Sequence, residues 1–512
     1  MKHKKLGQVY TPKWIVEKIL DEVNYNGKKI LNQKIIDPAC GDGAFLTQII
    51  KKLIKEAQKE KLEKSTIKNI LENNVYGIEI DTEEYKKCIF NLNKIVKDNL
   101  NIDNIDWKIF NDNTLLKYKD FLDFFDYVVG NPPYIRIHNL DANTRNIIKK
   151  DFEFNQGTLD IYLSFFELGF KLLNKNGVLG YITPNSFLRN SSYKKFRQFL
   201  KEKKTIKVLI DFKSNKIFEN FSTYTTITII DFNNQKDYFE YKELVNNQIK
   251  TVNKIKFKDL DDKSWSFSSK ENMEFLSNLY NNVDYKISDF FEVQYGFATL
   301  RDKIFIGNIT DKKDNLVLFN NHWIENSILK KIVKGSTYKG KETDIKYILF
   351  PYKKVNDRFI PFEEEELKNN FPFAYKYLLT HKEELLKRDR DKNTNWYEFG
   401  RSQGIQTCNN KKIVLGTLIK DKINFYFLPK DIYVYSGIFI IRKDKSSDWR
   451  ILTDILESEE FKRYIMIKGK DFSGGYKSLT TNLIKEFPIK NIQKKSKKYK
   501  EKTLFDNFYN YY

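Results

Sequence analysis

Apolar residues recur three and four positions apart in WIVEKILDEV (14–23), AFLTQIIKKLIKEAQKEKLE (44–63), EEYKKCIFNLNKIVKDNL (83–100), LDIYLSFFELGFKLL (159–173) and SYKKFRQFLKEK (192–203). That spacing predicts amphipathic helices. Short apolar runs lie between them: KIID (34–37), VYGIEI (75–80), FDYVVG (125–130), GVLGYITP (177–184), VLIDF (208–212) and TYTTITIIDF (223–232). These predict strands, and the alternation predicts a doubly wound, Rossmann-like α/β sheet with helices on both faces. Sheets of this kind bind ligands at the carboxyl ends of their strands.

From about residue 285 the rhythm changes to short aromatic and basic segments, among them EVQYGFATLRDKIFIG, KYILFPYKK, WYEFGRSQG, KIVLGTL and YVYSGIFII. A sheet domain over 1–245, a transition or linker over 246–284 and a strand-rich α+β domain over 285–512 are expected. The lysine run IQKKSKKYKEK (492–502) reads as a solvated helix face or a mobile end.

Composition narrows the class. A chain of 512 residues exceeds one compact core, and 41% hydrophobic residues can fill more than one. The net charge of +22 favours a polyanionic partner such as nucleic acid, although abundant Lys, Asn, Ile, Tyr and Phe also fit AT-rich coding. Cys40, Cys88 and Cys408 are odd in number and scattered, so a reducing cytoplasm is expected and no disulfide framework. His3, His138, His322 and His381 form no ligand spacing with them, so no metal site is expected. The opening MKHKKLGQVYTPKW lacks a signal peptide's apolar stretch, and no run is long enough to span a membrane.

Three motifs fall at predicted strand ends. In DPACGDGAFL (37–46), Asp37 ends the first strand, and Gly41 and Gly43 allow a tight turn into the next helix. Asp42 stands where a dinucleotide's pyrophosphate would sit, so the loop suits a ligand without phosphate that carries positive charge. YGIEID (76–81) offers Glu79 and Asp81, and a carboxylate there can accept both hydroxyls of a ribose. In VVGNPPYIR (128–136) two prolines stop the strand just after Asn131. A stiff turn would explain that. So would a pair of fixed acceptors, Asn131 and the Pro132 carbonyl, beside the stacking surface of Tyr134. Each motif alone decides little; their order on successive sheet elements decides more.

In that order the motifs resemble the N6-adenine DNA methyltransferases with the γ arrangement, of the TaqI type, and the resemblance runs over almost the whole chain. QVYTPKWIVEKIL resembles the family's N-terminal motif, DPACGDGAFL its cofactor loop, YGIEID its ribose-binding strand and NPPY its catalytic motif. NGVLGYITPNSFL and IFENFSTYTTITII match later motifs. The resemblance implies S-adenosylmethionine as cofactor, held by Tyr10, Thr11, Asp37, Ala39, Gly41, Gly43, Glu79, Ile80 and Asp112. For the last position the chain reads IFNDNTL: ungapped alignment places Asn113 there, and the neighbouring Asp112 is favoured because a carboxylate accepts from the adenine amino group of the cofactor. The catalytic residues implied are Asn131, Pro132, Pro133 and Tyr134, with Tyr134 and Phe218 stacking on a flipped target adenine. Duplex DNA is the implied partner, with a separately encoded restriction endonuclease beside it.

The C-terminal half resembles the family's target-recognition domain. Its aromatic and basic loops suit phosphate and base-edge contacts. GRSQGIQTCNN (400–410) carries Arg401, Gln403 and Gln406, which read bases, sit on phosphates or form an ordinary surface loop. Rival readings are an RNA or protein-glutamine methyltransferase, a cytosine-N4 enzyme and a non-catalytic DNA-binding subunit. In this resemblance Asn rather than Ser before PPY favours adenine. A nuclease is not expected: the chain opens almost on the cofactor motif, and EYK (240–242) after Asp237 imitates a nuclease pattern only loosely.

Overall fold

The computed structural model describes residues 10–155, 160–218, 224–262, 264–444 and 447–489. The chain divides into two compact units, Met1–Glu274 and Phe275–Tyr512.

The first unit is the predicted sheet. Its strands are β1 (Ile35–Asp37), β2 (Val75–Glu79), β3 (Lys108–Asn111), β4 (Phe125–Gly130), β5 (Leu173–Pro184), β6 (Ile206–Asp211), β7 (Thr225–Asp231), β8 (Tyr238–Val245) and β9 (Gln248–Lys256). They lie in the order β3-β2-β1-β4-β5-β7-β6-β8-β9. The strands from β3 to β5 pair in parallel, whereas β7 runs antiparallel between β5 and β6. The chain direction reverses its winding at β1, so the ends of β1, β2 and β4 open side by side into the crevice where such sheets take ligands.

Helices cover both faces. α1 (Lys13–Glu22), α2 (Ala44–Lys59), α3 (Lys64–Asn74) and α4 (Thr82–Leu100) pack on one, against Tyr127, Val129, Ile227 and Ile229. On the other, α6 (Ala142–Asp151), α7 (Tyr162–Leu172) and α9 (Lys194–Lys203) pack against Val128, Leu179, Leu209 and Ile230. Successive residues of β4 thus enter opposite cores, which is why FDYVVG is apolar almost throughout. Two four-residue helices, α5 (Thr114–Lys117) and α8 (Ser186–Arg189), follow β3 and β5.

Two expectations change. Much of the stretch expected as a linker, 246–284, belongs to the first unit: β9 completes a hairpin with β8, and Trp265 and Phe267 enter the core. Asn246 and Asn247 form its two-residue turn at φ 50° and 60°, conformations that asparagine tolerates well. Glu240 and Lys242 of the nuclease-like triplet lie on β8, where Lys242 pairs with Glu22 on α1 at 2.9 Å. In addition, helical periodicity over 44–63 breaks at Lys59, and α3 begins at Lys64.

The second unit is strand-rich, as expected. One four-stranded sheet joins Phe291–Tyr295, Ile438–Arg442, Lys412–Leu415 and Phe425–Leu428. Another joins Ile306–Gly307, Lys346–Leu349, Leu329–Lys334 and Ile432–Tyr435. The lysine run 492–502 lies outside the described residues. Among those that are described, no helix is long and apolar enough to cross a membrane.

Candidate active site

The loop after β1 is shaped by two glycines with different tasks. Gly43 precedes α2 at φ 88°, and a Cβ on it would stand 2.9 Å from Cys88 Sγ. A side chain there is disfavoured by both conformation and space. Gly41 also has positive φ, 54°, but a Cβ on it would meet nothing within 4 Å. Gly41 lines a cavity of about 230 Å³ at the ends of β1, β2 and β4, so its missing side chain leaves room in that cavity.

Glu79 ties the loop to β2. Its Oε2 accepts from the Gly41 N–H at 2.9 Å and its Oε1 from the Asp81 N–H at 2.8 Å. Asp81 in turn caps α4, accepting from the N–H groups of Glu83 and Glu84. Burial raises the Glu79 carboxyl above its ordinary range, and the two N–H donors oppose that. Asp37 is pushed up to about 8, chiefly by burial; the Ala39 N–H at 3.0 Å offsets part of this, and Glu79 and Asp42 add to it. Asp42 is raised by burial and by neighbouring Glu84.

β4 pairs with β1, so Asn131 arrives beside Asp37. A Cβ on Gly130 would stand 2.6 Å from Asp37 Oδ1, so only glycine permits this approach. The Asn131 amide donates from Nδ2 to Thr11 Oγ1 at 3.0 Å. The Tyr134 hydroxyl donates to the Ile182 carbonyl at 3.3 Å, and its ring lies 6.5 Å from that of Phe218 at 70°. Those two rings meet edge to face, so a base stacked on both needs one of them to turn.

The cavity wall contains Tyr10, Thr11, Asp37, Ala39, Gly41, Glu79, Ile80, Asn131 and Pro133, all expected from sequence. It does not contain Gly43, Pro132, Tyr134 or Phe218; Pro132 and Phe218 are buried, Phe218 in the core beside Tyr134. Nor does it contain Asp112. Asn113 takes that position, with its Oδ1 capping α5 on the Leu115 N–H at 3.0 Å, while Asp112 is exposed. Of the two residues open at that position, Asn113 lines the cavity, while Asp112, the one favoured from sequence, does not.

Sequence reasoning missed Glu84, Asp141, Thr144 and Phe165 in the same wall. Asp141 and Thr144 were legible as a helix cap, three residues apart, and Asp141 does accept from the Thr144 N–H at 2.9 Å. Asp37, Asp42, Glu79, Glu84 and Asp141 all line the cavity, and among the described residues no Lys or Arg does.

In the second unit, Arg401 pairs with Asp389 at 2.9 Å and Asp391 at 3.5 Å. Gln403 donates to the Gly296 carbonyl at 3.3 Å. Gln406 bonds both backbone groups of Phe359, accepting from its N–H at 2.9 Å and donating to its carbonyl at 2.8 Å. All three side chains are engaged inside the unit, and for Gln406 both ends of the amide are used.

The first unit has the doubly wound, Rossmann-like α/β fold. Residues 56–218 match the model of the Eco57I restriction-modification methylase family. The chain is 27% identical, over 96% of its own length, to the Type II restriction enzyme and methyltransferase RM.Eco57I of Escherichia coli. It is also 27% identical, over 59% of its length, to the Type II methyltransferase M.BstVI of Geobacillus stearothermophilus. It spans 58% and 60% of those two proteins. Among solved structures, the Type IIL restriction-modification enzyme MmeI, determined in complex with DNA, shares the fold. The TM-score is 0.61 at 14% identity, over 92% of this chain and 65% of that one.

Proposed function

We propose that this chain is a DNA methyltransferase of a restriction–modification system that methylates adenine N6 with S-adenosylmethionine as donor. The observation that carries the reading is the meeting, at adjacent strand ends, of Asn131 with an acidic cavity lined, among the described residues, by no cationic side chain. Relatives named as Type II methyltransferases support the substrate class.

The residues present fit the cofactor. Its ammonium and sulfonium charges suit the carboxyl-lined wall, and it has no phosphate for that wall to repel. Glu79 would take the ribose hydroxyls, exposed Ile80 would lie against the adenine ring, and Asn113 would meet the ring's polar edge. Tyr10 and Thr11 would flank the methionine end. When bound, S-adenosylmethionine supplies a methyl group activated by its sulfonium.

The chain's own residues prepare the acceptor. Adenine N6 is a poor nucleophile because its lone pair is delocalised into the ring. Asn131 Oδ1 and the Pro132 carbonyl accept its two hydrogens and draw the nitrogen toward tetrahedral geometry. Pro132 and Pro133 hold the backbone so that these acceptors need little reorganisation. No strong base is required, because the proton leaves N6 after transfer. The base must be extruded from the duplex, and Tyr134 and Phe218 offer it stacking surfaces once one of the two rings turns. The second unit supplies target recognition, and a restriction endonuclease acts on the same site, either as a separate protein or in the same polypeptide.

The test uses radiolabelled S-adenosylmethionine with unmethylated genomic DNA, RNA and protein extract. Label in DNA, reduced about 10²-fold or more by Asn131→Ala, supports the reading. Label in RNA or protein instead would retain the fold and replace the substrate. No transfer to any of them would leave a DNA-binding subunit.

A further inference from the structure

The acceptor must present its oxygen, since an NH2 facing the N6 hydrogens would repel them. An asparagine amide turns easily about χ2, where the torsional preference is broad and roughly two-fold. Stacking and diproline geometry fix the backbone around Asn131, not the plane of its amide. One contact on that plane comes from 120 residues away in sequence: Nδ2 donates to Thr11 Oγ1 at 3.0 Å.

Thr11 is a firm anchor for such a bond. It precedes Pro12, which restricts it to extended conformations. The Pro12 carbonyl accepts from the N–H groups of Ile15 and Val16 at 3.0 and 3.2 Å, joining this segment to α1. Ile15, Val16, Ile19 and Leu20 of α1 are fully buried, so the hydroxyl comes from an element locked into the core. On the other side of Asn131, the close approach of Gly130 to Asp37 holds the main chain.

We infer that Thr11 is a positioning residue for the transfer step: its hydroxyl holds the Asn131 amide with the nitrogen toward α1 and the oxygen turned away, toward the incoming amine. This rests on the function proposed above, and it gives Thr11 a role distinct from holding the cofactor. A hydroxyl can accept from Nδ2; valine, of the same shape, cannot; serine keeps the acceptor and loses only a methyl group.

The test compares Thr11→Val and Thr11→Ser in single-turnover transfer to DNA at saturating S-adenosylmethionine, with S-adenosylhomocysteine affinity measured by calorimetry. At saturation the valine variant is expected to transfer about 10- to 100-fold more slowly than wild type, and serine within about threefold. Crystal structures of wild type and Thr11→Val supply a readout independent of activity, with the Asn131 amide turned or disordered in the variant alone. A wild-type transfer rate for Thr11→Val at saturating cofactor would overturn the inference, because the residue would then act through affinity only. An unchanged amide in the variant, or serine as impaired as valine, would overturn it too. Wild-type protein that methylates no DNA would instead remove the underlying function, and the two crystal structures would still decide how the amide is held.

Discussion

Gly41 and Glu79 are bonded across two neighbouring strand ends, the Gly41 N–H donating to Glu79 Oε2 at 2.9 Å. The carboxylate's second oxygen accepts from the Asp81 N–H at 2.8 Å. One side chain thus holds the loop after β1, the turn into α4 and a place in the cavity wall. Glutamine has a single acceptor oxygen, so Glu79→Gln must turn an NH2 toward one of these two donors. S-adenosylhomocysteine affinity, measured by calorimetry, is expected to fall at least about tenfold, and global stability by about 1–3 kcal/mol. Unchanged affinity would remove Glu79 from the binding residues.

The two loop glycines separate stability from binding. Gly43→Ala places a methyl group against Cys88 in a left-handed conformation, and should destabilise the first unit by about 2 kcal/mol. Gly41→Ala meets open space and should cost only about 1 kcal/mol of backbone strain, while filling part of the cavity and weakening cofactor binding. Urea unfolding and calorimetry on both variants check this; equal effects in both assays would contradict it.

Asp37 makes stability depend on pH. Its folded-state pKa of about 8 lies above the unfolded value of about 4, so the folded protein keeps a proton that the unfolded chain releases between them. Stability from this group therefore declines as pH rises through that window and levels off above about 8. The Ala39 N–H, Glu79 and Asp42 are the groups that act on it. Unfolding free energies of wild type and Asp37→Asn, measured from pH 5 to 9, should diverge in favour of asparagine up to about pH 8. A difference that stays constant with pH would refute the assignment.

Gln406 belongs to the second unit's framework. Its amide closes on both backbone groups of Phe359, so Gln406→Ala should cost about 1–3 kcal/mol of stability. The set of methylated sites should stay as in wild type. Sequencing of modified DNA that shows a relaxed or shifted site would return Gln406 to base reading.

How much of this was legible depended on whether local chemistry or a distant partner decides each feature. β4 ends at Gly130 as the motif requires, because an apolar run against a diproline admits no other stop. Glu79, Gly41 and Asn131 were readable because each sits beside a strand end that the apolar pattern marks. The β8–β9 hairpin was not, since an edge hairpin buries few residues and its asparagine turn lacks glycine. Asn113 lines the cavity where Asp112 does not, and it caps α5, a four-residue helix too short to show in periodicity. The engagement of Gln406 by Phe359, 47 residues away, and of Asn131 by Thr11 are tertiary facts that no local pattern announces.

The proposed reaction centres on an exocyclic adenine amine held by Asn131 and Pro132. Digestion of DNA methylated by the purified protein, followed by nucleoside mass spectrometry, tests it most directly. N6-methyladenine that disappears with Asn131→Ala is the expected result. N4-methylcytosine as the product, or N6-methyladenine undiminished in the variant, would contradict it.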